Sequence, residues 1–320
     1  MLSSLPVIGR TASRRRAGRA TGATAVKLSR GDRVTLAGIY AFLAFVVVVI
    51  VFPLLYVVAA SFSSYGPVLS GNVWVWPVHP TLFTYETIFH FPEFWQSYLN
   101  AIIYTAASTA LSVTLSVMLG YPLSRPGFVG KRLITFLLLF AFLFSGGIIP
   151  LFLLVKSLGM INTRWSMILP TALSIFSVII ARSFFVSSVP DALVEAAEVD
   201  GASDFTILRK IVLPISKPML VVLALIYGVV QWNSYFYALI FLNSQSLYPL
   251  QLVLQQVLVL GQLSPDQISN LTPKDANEFE ALSTLIKYAL VVVSTLPMVL
   301  IYPYAQRYLV KGLRVGSLKG

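Results

Sequence analysis

The sequence has no cysteine in its 320 residues, so disulfides and thiolate-held metals are excluded. Only two histidines, His79 and His90, are present. They leave little for a His-ligated metal centre or for imidazole acid–base chemistry. Charge is also scarce. Asp, Glu, Lys and Arg make up 11% of the chain, against about 25% in a typical soluble domain. The long apolar runs hold almost no ionisable group, whereas an ion-coupled carrier keeps such groups at membrane depth for its relay. No Gly-x-x-x-x-Gly-Lys-Ser/Thr phosphate loop occurs; the nearest fragment, Gly130-Lys131, is followed by Arg132. No obvious internal repeat is visible.

What is abundant is apolar. The chain is 57% hydrophobic, with a mean hydropathy of +0.81. A soluble fold of this length could not bury that much apolar surface, so a soluble enzyme, a disordered chain and a fibrous protein all fit poorly. The composition predicts an all-α membrane protein. A crossing needs about 20 apolar residues. Six runs qualify, over 34–60, 98–121, 133–155, 165–181, 219–242 and 285–304; five are free of charge and the last holds only Lys287. The fourth is the shortest and can extend to residue 186.

An even number of crossings puts both ends on one side, and the basic residues choose the side. One side takes the N-terminal tail (Arg10, Arg14, Arg15, Arg16, Arg19, Lys27, Arg30, Arg33) and the loop after run two (Arg125, Lys131, Arg132). It also takes the loop after run four (Arg182, Arg209, Lys210, Lys217) and the C-terminal end (Arg307, Lys311, Arg314, Lys319). The other side has only Lys156, Arg164, Lys274 and Lys287. Both ends are therefore expected in the cytoplasm. The net charge of +11 then reflects topology rather than nucleic-acid binding. Residues 1–33 read as a basic, disordered tail, and 34–320 as the membrane domain. The first apolar run is too long for a signal-peptide core and reads as a retained anchor. Two outer loops are long. Residues 61–96 carry Trp74, Trp76, His79, His90 and Trp95, and residues 243–284 carry Asp266, Asp275, Glu278 and Glu280. Their aromatics suit an interfacial belt or contact with an external partner.

The loop over 189–214 carries the main motif. Pro190 and Asp191 suit a first helical turn, and Gly201 a left-handed stop. A short helix is thus expected over 191–200. Ala192, Ala196 and Ala197 form a small-residue strip at helical spacing, flanked by Glu195 and Glu198. A second short helix follows, with Ile207, Leu208, Ile211 and Val212 as its apolar stripe. Pro214 and Pro218 limit its continuation. The loop reads either as a connector lying on the membrane or as an element docked in a protein groove. Its acidity favours the groove, because helices that bind anionic membranes are Lys/Arg-rich.

Glu195-Ala196-Ala197, Asp200-Gly201-Ala202 and Ile211-Val212-Leu213-Pro214 resemble the EAA loop of ABC importer permeases, with its spacing kept. Ser145-Gly-Gly-Ile-Ile-Pro150, Asn162-Thr-Arg-Trp165, Trp232-Asn-Ser-Tyr235 and Tyr248-Pro-Leu-Gln251 are similar to maltose-transporter-type carbohydrate permeases. The ending Gly312-Leu-Arg-Val-Gly-Ser-Leu-Lys-Gly320 resembles a branch that takes oligosaccharides and polysaccharide fragments, acidic alginate or uronate fragments among them. The Arg-rich first 25 or so residues lie outside the resemblance. It implies a non-catalytic subunit paired with a homologous second permease. Two ATP-binding cassette subunits would hold ATP and Mg, and an extracytoplasmic solute-binding protein would deliver a carbohydrate. The EAA helix would sit in a cleft of the ATPase. Glu195, Ala196, Ala197, Glu198, Asp200, Gly201, Leu213 and Pro214 would form the coupling element.

Sugars need hydrogen bonds and aromatic faces, because hydroxyls desolvated without partners cost free energy. Gln231, Trp232, Asn233, Ser234, Tyr235 and Tyr237 in the fifth run are the candidate lining of a path. They fit helix–helix hydrogen bonding equally well. Asn100, Ser145, Gly146 and Gly147 are further polar or small residues in the runs, and Pro53, Pro150, Pro297 and Pro303 predict kinks. A stand-alone carrier, a membrane-embedded enzyme and an importer of a non-sugar solute are the competing functions.

Overall fold

The computed structural model of the protein describes residues 29–260 and 276–317. The tail before residue 29, the part of the second long loop with Asp266, Lys274 and Asp275, and the last three residues of the C-terminal motif lie outside the described residues. Two compact units are present, Met1–Val51 and Phe52–Gly320. Among the described residues every regular element is helical, apart from one isolated bridge between Ser63 and Pro80.

The first helix, α1 (Arg30–Ser61), opens on a reciprocal cap. The Asp32 N–H donates to Ser29 Oγ at 3.1 Å, and the Ser29 N–H donates to Asp32 Oδ2 at 3.0 Å. Its side chains from Val47 to Ile50 are apolar and exposed, the condition that a lipid solvent allows. The expected loop 61–96 contains two short helices, α2 (Tyr65–Leu69) and α3 (Phe83–His90). α4 (Pro92–Ser124) starts with Pro in its first turn, where the missing donor costs nothing. It is longer at both ends than the expected 98–121. Among the described residues three helices are long and apolar enough to cross a membrane: α1, α4 and the Ser283–Arg307 part of the last helix.

Three of the six runs are not continuous helices. The run 133–155 is split into α5 (Lys131–Leu143) and α6 (Ile148–Ser157), bent by 116°. The break falls at Ser145-Gly146-Gly147, where Gly147 takes a φ of +76°, a conformation that side chains with Cβ resist. The run 165–181 holds a single turn, α7 (Trp165–Ile168), and the start of α8 (Ile175–Ser188). Pro170 removes a backbone donor between them. Ser174 starts α8 afresh by accepting from the Ser177 N–H at 3.4 Å. At 14 residues, α8 reaches about 21 Å. The run 219–242 ends its first helix at Trp232 and restarts at Tyr235. Apolarity fixes how long a segment stays out of water; it does not oblige that segment to be one helix.

α4 is the spine. Ser97, Ala101, Tyr104, Ser108, Ser112, Ser116 and Gly120 recur every three or four residues and are buried. Small side chains on one stripe let other helices approach. α8 and α12 (Lys217–Trp232) pack against α4 along it. Tyr227 of α12 ties the three together: its hydroxyl pairs with Ser116 Oγ at 2.7 Å and accepts the Ser174 N–H at 3.1 Å. At the Pro92 end of α4, Asn100 Nδ2 donates to the carbonyls of Ser246 and Tyr248, at 2.8 and 3.2 Å, and the Tyr104 hydroxyl donates to that of Leu247 at 2.9 Å. Asn162, at φ +59°, accepts the N–H groups of Asn243 and Ser244 on Oδ1 at 3.0 and 2.9 Å. The Asn162 and Tyr248 motifs thus lie at backbone junctions.

At the other end of α4, a Cβ on Gly120 would stand 2.8 Å from Cβ of Ala181 and 3.1 Å from the backbone nitrogen of Arg182. Gly120→Val should force α4 and α8 apart, at a cost of about 1–3 kcal/mol. A lower thermal unfolding midpoint of the detergent-purified protein is the expected result. Gly38→Ala, where a Cβ meets nothing within 4 Å, should leave the midpoint unchanged or slightly raised.

Candidate functional site

The loop after α8 folds as two short helices at a sharp corner. α9 (Asp191–Val199) follows Pro190, whose backbone is extended at φ −60° and ψ 135°. It stops where the sequence places the stop. The Gly201 N–H donates to the Glu198 carbonyl, and the Ala202 N–H to that of Ala197, both at 2.9 Å, with Gly201 at φ +79°. These are the two bonds of a Schellman cap, which needs a left-handed residue between them. Ser203 then caps α10 (Asp204–Ile207) by accepting from the Thr206 N–H at 3.4 Å. A π-helical turn, Leu208–Val212, follows, and then α11 (Leu213–Ile215). Pro214 has no donor to aim at the fourth carbonyl back, which disfavours a regular α-helical ladder here.

The apolar residues of this loop do not face solvent. Val194 and Ala197 of α9, with Ile207 and Val212 beyond the corner, share one buried cluster with Val117 and Tyr121 of α4, Ala181 and Phe185 of α8, and Leu223 and Tyr227 of α12. The small-residue strip read from the sequence is therefore divided. Ala197 packs inward, whereas Ala192 and Ala196 are exposed. Glu195, Glu198, Asp200 and Gly201 are exposed beside them, Pro214 is exposed, and Leu213 packs against the cluster. Around the helix axis Val194 and Ala197 occupy one face. Asp191, Glu195 and Glu198 occupy the adjacent one, at i, i+4 and i+7.

One polar contact holds the corner to the end of α4, and a second ties α8 to α4 beside it. Arg125, just past α4, pairs with Asp191 at 3.0 Å while its guanidinium lies 5.2 Å from the Tyr121 ring centroid. Arg182 of α8 donates from Nε to the Leu123 carbonyl at 3.1 Å. Asp191 and Arg125 are 66 residues apart, so no local pattern announces their pairing. Tyr227 was equally silent in the sequence, one aromatic among many apolar residues.

The candidate lining of the fifth run separates into two groups. Gln231 is buried; its Nε2 donates to the Met167 carbonyl at 3.0 Å and its Oε1 accepts from Thr171 at 3.2 Å. Trp232 is buried and donates to the Ser294 carbonyl of the last helix at 3.0 Å. The polar atoms of both are thus engaged between helices. Asn233 is exposed at the break, with Nδ2 donating to the Val229 carbonyl at 2.8 Å. Tyr235, at the start of α13 (Tyr235–Phe241), is exposed, and Tyr237 stacks on Phe241 at 5.8 Å. Ser145, Gly146 and Gly147 are exposed at the α5–α6 break. Asn100 is taken up by the Ser246–Tyr248 carbonyls.

Comparison with known proteins gives the family of the chain. The chain is 37% identical over 282 residues to the polygalacturonan/rhamnogalacturonan transport system permease protein YtcP of Bacillus subtilis (strain 168), covering 88% of this chain and 97% of that one. It is 29% identical over 286 residues to the arabinooligosaccharides transport system permease protein AraQ of Halalkalibacterium halodurans, covering 88% and 94%. Among solved structures, it is similar to a bacterial ABC transporter involved in the import of the acidic polysaccharide alginate. There the TM-score is 0.81 and the identity 30%, over 88% of this chain and 98% of that one. Residues 17–315 match the family described as binding-protein-dependent transport system inner membrane component. With its apolar helices and its Gly201-capped loop, the chain belongs to that family of membrane transport permeases.

Proposed function

We propose that the protein is one of two permease subunits of an ABC importer that carries an oligosaccharide, acidic in character, from a solute-binding protein into the cytoplasm. The substrate class follows the names of its relatives, two of which move uronate-rich or acidic polysaccharides. It crosses the cytoplasmic (inner) membrane six times, through α1, α4, α5, α8, α12 and the last helix, α15 (Ala276–Ser317). α6 and α7 fold back near the outer face. Nineteen basic residues on one side against four on the other support an orientation with both termini and α9 in the cytoplasm.

The chain itself holds no nucleotide. A homologous permease completes the path, and two ATPase subunits bind ATP and Mg beneath it. The observation that carries this reading is the two-sidedness of α9. Val194 and Ala197 lie in a core shared with α4, α8 and α12, while Glu195 is presented outward. Movement of an ATPase gripping the outer face is transmitted to three helices through the inner one. Charge pairs at such a rim fix register more than affinity. The carbohydrate path runs past Asn233, Tyr235 and Tyr237, with Gln231 and Trp232 holding the break in shape.

Four variants test this. In the complex reconstituted with its partners, Glu195→Lys should lower transport and binding-protein-stimulated ATP hydrolysis by about tenfold or more, with membrane insertion unchanged. Normal coupling in that variant, or solute flux through this chain without partners, would overturn the reading. Gly201→Val should weaken coupling in the same assay, since a left-handed non-glycine costs about 1–2 kcal/mol and tilts the corner; wild-type coupling counts against the cap. Gln231→Leu leaves Met167 and Thr171 without a partner and should cost about 1–3 kcal/mol of stability, read as a lower thermal midpoint. Asn233→Ala should instead raise the KM for transport with only a small fall in midpoint, because the Val229 carbonyl keeps the backbone N–H of residue 233 at 3.2 Å.

A further inference from the structure

Beside α9 lies a groove of about 840 Å³. One wall is α9 and the start of α10. The other is the turn over residues 125–130, Arg-Pro-Gly-Phe-Val-Gly. This turn is an ordered piece of backbone: Lys131 Nζ donates to the Arg125 carbonyl at 3.0 Å, and Gly130 takes a φ of +83°. The groove's apolar surface comes from Met118, Phe128, Val129 and Phe205. Val129 is 90% exposed and Phe205 69%, values that leave large apolar side chains in contact with water on the polar side of the molecule.

The charges along the same groove are of one sign. Asp191, Glu195, Glu198 and Asp204 line it, and Arg125 answers only Asp191. The other three carboxylates have no ion pair within 4.0 Å among the described residues. Asp191 and Glu195 at i, i+4, and Glu195 and Glu198 at i, i+3, are like-charge neighbours that repel on a helix. The chain alone bears that repulsion, and a cationic occupant would relieve it. An anionic membrane surface would worsen it, although the exposed Phe205 and Val129 would otherwise suit lipid.

We infer that the 125–130 turn is a second docking element. Together with α9 it forms a groove that receives a basic, amphipathic segment of the ATPase subunit, with Lys or Arg against Glu195, Glu198 and Asp204 and an apolar side chain between Phe128, Val129 and Phe205. The inference rests on the coupling role proposed for α9 and extends it. The permease does not only insert a helix into its partner; it also accepts a partner element. Because the turn is joined to α4 directly and to α9 through Arg125–Asp191, the occupant grips both at once.

The absence of cysteine makes the test clean. Val129→Cys and Glu195→Cys, introduced singly into the assembled complex, are labelled with benzophenone-maleimide and irradiated. The expected result is an adduct with the ATPase subunit from both positions. An adduct from 195 with none from 129, or with only lipid captured at 129, overturns the groove and leaves the coupling role of α9 standing. No ATPase adduct from either position overturns both. As a second arm, Val129→Asp should reduce ATPase co-purification by about tenfold, and Glu198→Lys with Asp204→Lys should do so with a salt dependence unlike wild type. Wild-type retention in both variants overturns the proposal, provided each inserts and unfolds at the wild-type midpoint.

Discussion

The burial of four apolar side chains beneath the corner between α9 and α10 is the interaction on which the rest of the molecule depends. Val194, Ala197, Ile207 and Val212 sit in one cluster with residues of α4, α8 and α12. A fully buried Val or Ile contributes about 1.5–3 kcal/mol. The Arg125–Asp191 pair, with Asp191 64% exposed, contributes about 0–1 kcal/mol. Apolar packing therefore anchors the corner, and the ion pair sets its register. A helix held this way cannot shift without moving the three helices it is packed on, because close-packed interiors transmit displacement rather than absorb it.

The broken helices follow from a different constraint. In hydrocarbon every backbone donor and acceptor must be satisfied internally, so an interruption survives only where protein or a water-filled cavity supplies partners. Each break here has them. Asn233 caps its own helix on the Val229 carbonyl, and the Ser234 N–H reaches the Gln231 carbonyl. Ser174 restarts α8, and the Tyr227 hydroxyl takes up the Ser174 N–H. Near the Pro92 end of α4, Asn100, Tyr104 and Asn162 occupy backbone groups of the segment 243–248. These polar side chains are spent on the chain's own irregular backbone. Asn233 and Tyr235 are left exposed at the break.

The sequence determined by itself whatever depends on local chemistry or on summed composition. The excess of apolar residues dictates a membrane protein. Gly201 dictates the end of α9, because only a left-handed residue completes that cap, and the spacing of Ile207, Leu208, Ile211 and Val212 dictates an inward stripe. It did not determine which apolar runs are straight, since hydropathy is blind to a backbone break at Gly147, Pro170 or Asn233. Nor did it divide the Ala192, Ala196 and Ala197 strip. Tertiary structure alone decided that Ala197 faces inward, that Gln231 and Trp232 are committed to neighbouring helices, and that Arg125 meets Asp191. Those outcomes rest on contacts between residues about 60 or more positions apart, whose geometry is fixed by packing and leaves no periodic trace in the chain.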